Sequence, residues 1–131
     1  GRIGMKMVAA TFGLVLAAIA PTVAFAAPDE VVVVGVPDGR LASGALVSGD
    51  YAHAAQRLEV VRLDAANDPA RLINLGNAYA GMGKMQAARA AYKAARFAPD
   101  SMLVTADGNE SSSREIARRA MGRLNAQYAM R

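Results

Sequence analysis

The chain has 131 residues, room for one small domain, and a net charge of +4 from 15 basic and 11 acidic side chains. That charge is too mild to argue for nucleic acid. The absence of cysteine excludes a disulfide framework, a cysteine-type zinc site and lipid attachment at a cysteine.

Arg2 and Lys6 precede an uncharged apolar run, residues 7–20, followed by Pro21 and by Ala24-Phe25-Ala26. That order is a basic n-region, an apolar h-region and an A-x-A cleavage site, so residues 1–26 are expected to be a cleaved signal peptide. The alternative is an uncleaved anchor, but the run is 14 residues long against the roughly 20 that a membrane span needs. Met5 is the expected start, and the general secretory route is favoured because twin arginines are missing. Removing the signal leaves about 105 residues at +2.

Residues 27–48 are expected to form an extended N-terminal segment. Val31–Val34 favour a strand because β-branched side chains suit a pleated surface, and Pro37-Asp38-Gly39 is a turn signal. The other strand-like run is Met102–Thr105, closed by Asp107-Gly108. These two segments are expected to pair. The competing expectation lays Val31–Val34 across a helix face. Residues 40–50 have room for one short helical turn.

From Asp50, an N-cap, Tyr51, Ala54, Ala55, Leu58, Val61 and Ala65 mark one apolar helix face. Asp68 and Pro69 suit the N-cap and first position of the next helix, whose face is Leu72, Leu75, Gly76, Tyr79 and Ala80. Gly81-Met82-Gly83 breaks the chain. A third helix runs from about Lys84 to Phe97 with Ala88, Ala91, Tyr92 and Ala95 on one side, and Pro99 ends it. Residues 100–131 hold a turn or strand and a last helix from Glu115 to Met130. Ser112 and Glu115 stand at capping-box spacing, and Ile116, Ala117, Ala120, Met121, Leu124 and Tyr128 share a face. Arg114, Arg118, Arg119 and Arg123 fall off that face. They are expected to be a solvated surface or a basic strip for acidic lipid or a partner protein.

Candidate chemistry is thin. Gly83-Lys84 resembles the tail of a phosphate-binding loop, which needs G-x-x-x-x-G-K-[ST] after a strand. The first glycine is replaced by Ala78, the hydroxyl by Met85, and a helix precedes. His53 is the only histidine, and neither metal binding nor base catalysis works without partners. Asn109-Glu110-Ser111 is a glycan acceptor tripeptide that serves better as a turn and cap. Ser111–Ser113 have no histidine nearby in sequence. No enzyme activity, metal or cofactor is expected.

Gly49 and Gly83, and Ala54 and Ala88, match at an offset of 34 residues, the period of a helix–turn–helix repeat. Residues 69–99 resemble one complete tetratricopeptide repeat. Leu72 takes the large first-helix position, Leu75-Gly76 the Leu-Gly pair and Tyr79 the tyrosine one turn on. Gly83 takes the turn, Ala88, Tyr92 and Ala95 the second-helix positions, and Pro99 the closing proline, one residue early. Residues 49–65 look like the second helix of a preceding, degenerate repeat, so that residues 49–99 hold one and a half repeats. The chain as a whole is similar to small exported proteins of this class in alphaproteobacteria.

The resemblance implies a mostly all-α fold of antiparallel helix hairpins, capped by the C-terminal helix because a lone repeat leaves apolar faces open. It implies binding of a protein or peptide in a groove lined by Ala70, Ile73, Asn77, Ala80 and Gly81, with Asn74 one turn before Asn77. Asn77 fits the asparagine that bonds a bound peptide's backbone. Ile73 replaces the basic residue that clamps a terminal carboxylate in some members. The expected product is an adaptor in the periplasm of a Gram-negative bacterium. The alternative is a self-associating or membrane-associated envelope component.

Overall fold

The computed structural model describes residues 30–60 and 65–129, with side chains to 127. Residues 1–26 (expected to be a signal peptide), Val61, Met130 and the side chain of Tyr128 lie outside the described residues.

Among the described residues one short strand precedes four helices, and two more strands and a last helix follow them. The described elements are β1 (Val32–Val33), α1 (Ser43–Ser48), α2 (Tyr51–Glu59), α3 (Pro69–Gly81), α4 (Met85–Phe97), β2 (Met102–Thr105), β3 (Glu110–Ser112) and α5 (Ser113–Ala129). The fold is mostly helical, with one small antiparallel sheet in the order β1-β2-β3. Val32 stands opposite Thr105 and Val33 opposite Val104, so the two predicted strand segments do pair. The third strand is an addition: Ser112, Ser111 and Glu110 stand opposite Met102, Leu103 and Val104.

α2, α3 and α5 start where their capping chemistry dictates, while α1 and α4 begin without a side-chain cap. The Asp50 carboxylate accepts from the His53 amide at 3.4 Å, and Asp68 accepts from the Ala70 amide at 3.1 Å with Pro69 at the first helical position. Ser112 Oγ accepts from the Glu115 amide at 3.1 Å, the contact expected of its spacing. Arg71, buried in α3, ties down the end of α2. Its guanidinium donates to the carbonyls of Leu58, Ala65 and Ala66 at 2.6, 3.0 and 3.3 Å.

The turn between helices occurs twice in one form. Gly49 (φ 86°) donates to the Leu46 carbonyl and Asp50 to the Ala45 carbonyl. Gly83 (φ 78°) donates to the Ala80 carbonyl and Lys84 to the Tyr79 carbonyl. Every residue of the second set lies 34 after its counterpart, and each set closes a helix through a left-handed residue that suits glycine. α1 precedes its turn as α3 precedes the second, but it has six residues where α3 has 13. A valine at Gly83 would put a branched side chain at positive φ, so Gly83→Val is expected to destabilise by about 2 kcal/mol. Lys84 is exposed, and Lys84→Ala should shift the midpoint of urea unfolding by less than about 0.5 kcal/mol equivalent.

Among the described residues three clusters make the core. Val31, Ala42, Ala45, Leu46, Ala54, Ala55, Leu58 and Ala78 join α1, α2 and α3. Val32, Leu41, Ile73, Ala95, Ile116 and Ala117 join β1 to α3, α4 and α5. Met85, Ala88, Tyr92, Ala120 and Leu124 seat α5 on α4, so the C-terminal helix covers the open end of the hairpin. Burying these side chains stabilises by roughly 1.5–3 kcal/mol for each large one.

Candidate functional site

α3 has two faces, and both are covered. One packs against α2 and α4 by way of small residues. A Cβ on Gly76 would lie 2.5 Å from Tyr92 Cε1, and one on Gly81 would lie 2.4 Å from Tyr51 Cγ. The other face carries Ala70, Ile73, Asn74 and Asn77, with exposures of 5%, 0%, 0% and 0%. The expectation of an open groove along this face is corrected: the chain's own Glu30, Val32 and Leu41 lie on it. Ala80 and Gly81 are half-buried, Ala80 against the α4–α5 cluster and Gly81 under Tyr51, so neither lines that face.

The occupied face is built around two amides. Asn74 Oδ1 accepts from the Val32 amide at 2.9 Å, and Asn74 Nδ2 donates to the Val32 carbonyl at 2.7 Å. One side chain thereby holds both backbone groups of a single residue. The second Nδ2 proton goes to the Leu41 carbonyl at 2.9 Å, and Asn77 Nδ2 donates to Asn74 Oδ1 at 3.1 Å. Asn77 Nδ2 also donates to the Glu30 carbonyl at 3.0 Å, while Asn77 Oδ1 accepts from Tyr92 Oη at 2.6 Å. Turning Asn74 over would set its N–H against the Val32 N–H, and turning Asn77 over would set its oxygen against the Glu30 carbonyl and Asn74 Oδ1, so the orientations are fixed by their partners. Burial pushes the Tyr92 hydroxyl well above the usual phenol range, so it stays a donor to Asn77 at every ordinary pH.

Backbone contacts of this kind ignore side chains. The side chains of Val31, Val32 and Glu30 add contacts of their own. Val31 enters the α1–α2–α3 cluster and Val32 the cluster under β1, as alternation along a strand requires. The Glu30 carboxylate receives Arg119 Nε at 3.1 Å, Arg119 Nη2 at 2.6 Å and Arg123 Nη1 at 3.1 Å. Arg119 is further set by the Ser111 hydroxyl at 3.1 Å. The expectation of four solvated arginines is therefore corrected at Arg119 and Arg123. Their partner lies 89 and 93 residues earlier, a separation that helical periodicity cannot register. Arg118 pairs with Glu115 within α5.

Burial alone would raise the Glu30 pKa, but the hydrogen bonds and charges of Arg119 and Arg123 outweigh it and hold the carboxyl below its usual value. A lowered folded-state pKa stabilises above the unfolded value of 4.5 and stops doing so as pH falls through the folded one. Glu30→Gln should therefore flatten the fall in melting temperature below about pH 4.5 without abolishing it, since Asp100, Asp107 and Glu115 are also held low.

His53 is exposed on α2, 3.4 Å from Asp50. Among the described residues no group of three or more His, Cys, Asp or Glu could hold a metal ion, and no helix is long and apolar enough to cross a membrane. The comparisons with family models, curated proteins and solved structures found no match to this chain.

Proposed function

We propose that this chain is an exported adaptor of the tetratricopeptide-repeat type, without chemistry of its own, that holds an extended polypeptide segment on the Ile73–Asn77 face of α3. The observation that carries the reading is the pair of hydrogen bonds by which Asn74 accepts from the Val32 amide and donates to the Val32 carbonyl. A side chain that satisfies both backbone groups of one residue recognises extended chain as such, and Asn77 braces it from behind. The turn repeated at an offset of 34 residues supports the family reading. The basic, apolar and A-x-A order of residues 2–26 supports export to the periplasm of a Gram-negative bacterium.

The ligand now on the face is Glu30–Val33. A partner must present a similar segment and displace it. Val32→Pro removes the amide that Asn74 accepts from and leaves the face intact. A fluorescent peptide of residues 27–35, Ala-Pro-Asp-Glu-Val-Val-Val-Val-Gly, should then bind the Val32→Pro chain and not the unaltered one. Adding Asn74→Ala should weaken binding at least about tenfold, and Asn77→Ala by about 1 kcal/mol. A Val32→Pro chain with native circular dichroism that leaves the peptide free, or that binds equally well with Ala at 74, refutes the reading. Glu30→Ala, which loosens the same segment by another route, is the second variant should Val32→Pro fail to fold.

A further inference from the structure

We propose that Glu30–Val33 is exchanged between two copies of this chain, each laying its segment on α3 and β2 of the other. The proposal rests on the reading of the α3 face given above and names its partner.

The first argument is one of balance. A foreign peptide competes with a tethered segment whose effective concentration is on the order of millimolar. A second copy gives up the same contacts that it regains, so exchange costs only association entropy. The second argument is selectivity. The face fits this segment by side chain as well as backbone: Glu30 on Arg119 and Arg123, Val31 and Val32 in separate clusters.

The third argument is the hinge. Val34–Gly39 reverses the chain so that β1 can fold back onto its own helices, with the Gly39 amide donating to the Val36 carbonyl at 3.3 Å. Gly35 and Asp38 take φ of 60° and 58°, the second without a glycine's freedom. Pro37 between them disfavours the helical region for Val36 and suits an extended connection. A short, strained hinge of this kind favours swapping. The same stretch leaves Val34 and Val36 exposed by 56% and 72%. Two straightened hinges running past each other would bring these valines together and cover them.

The chain has no cysteine, so engineered ones report cleanly. Val33 and Val104 are direct neighbours across β1 and β2. Full-length Val33→Cys and Val104→Cys chains would be mixed, incubated over a range of concentrations and oxidised. The expected result is a disulfide-linked dimer of one chain of each kind, rising with concentration and lost when the Val33→Cys chain also carries Glu30→Arg. Sedimentation of the unaltered protein should show dimer over the same range. Exchange is overturned if the mixture yields no linked dimer and a doubly substituted chain closes only within itself. That outcome leaves the α3 reading standing. A doubly substituted chain that closes neither within itself nor between copies overturns both.

Discussion

Asn74→Ala should destabilise the protein by roughly 3 kcal/mol, a loss on the order of 15 °C in melting temperature for a domain of this size. The side chain is fully buried and uses its whole hydrogen-bonding capacity, on Val32 twice, on Leu41 and on Asn77. Alanine would leave the Val32 amide facing a dry cavity, and orphaning a buried donor costs about 1–3 kcal/mol where a hydrogen bond contributes about 1. Asn74→Asp should not rescue. It keeps an acceptor for the Val32 amide but turns two donor contacts, to the Val32 and Leu41 carbonyls, into repulsions. If the loss runs through the docked segment, Asn74→Ala and Val32→Pro must be strongly non-additive in urea unfolding, because both break the same contact. Additive effects would place the cost elsewhere.

Two glycine-to-alanine changes in helices should have opposite signs. At Gly76 an added methyl carbon would sit 2.5 Å from the Tyr92 ring. That ring is 3% exposed and tethered by its hydroxyl to Asn77, so it has nowhere to retreat. The gain of about 1 kcal/mol in helix propensity is outweighed by overpacking, and Gly76→Ala should destabilise by about 2 kcal/mol net. At Gly122 in α5 nothing lies within 4 Å of the added carbon. There the propensity gain stands alone, and Gly122→Ala should stabilise by about 0.5–1 kcal/mol. Thermal unfolding of both variants checks the pair. A neutral Gly76→Ala would mean that the α3–α4 interface is looser than these distances require.

Much of the helical part was legible because it rests on local chemistry. Asp50, Asp68, Pro69 and Ser112 cap what their spacing says they cap, and Gly49 and Gly83 turn the chain where a 34-residue offset places them. The face of α5 was readable as a cover for α4 because Ile116, Ala117, Ala120 and Leu124 recur at helical steps. What could not be read depends on contacts remote in sequence. Glu110–Ser112 is polar and lacks β-branched residues, yet it is a strand. The Thr105–Asn109 turn, with Gly108 at φ 90° and Asp107 accepting from the Asn109 amide, brings it back onto Met102–Val104. The second face of α3 was expected to be an open groove because Asn74 and Asn77 are polar, whereas both are fully buried. Two buried amides become the right residues only when an extended backbone lies across them; the resemblance pointed to Asn77 as a backbone-binding asparagine, but not to the chain's own segment as what it binds. Val31–Val34 was read correctly as a strand that pairs with Met102–Thr105, while the competing expectation, a strand across a helix face, also describes it. β1 does both.

The most direct test of this account is amide hydrogen exchange at Val32 in the unaltered chain. The Val32 amide donates to a side chain, Asn74 Oδ1, so its protection, compared with that of α3, reports the docking of the segment. It should be protected to within about tenfold of the amides of α3 and should lose that protection in Asn74→Ala, while α4 amides stay protected. A Val32 amide that exchanges at the rate of a free peptide, in a chain whose α3 and α4 amides are protected, would contradict it.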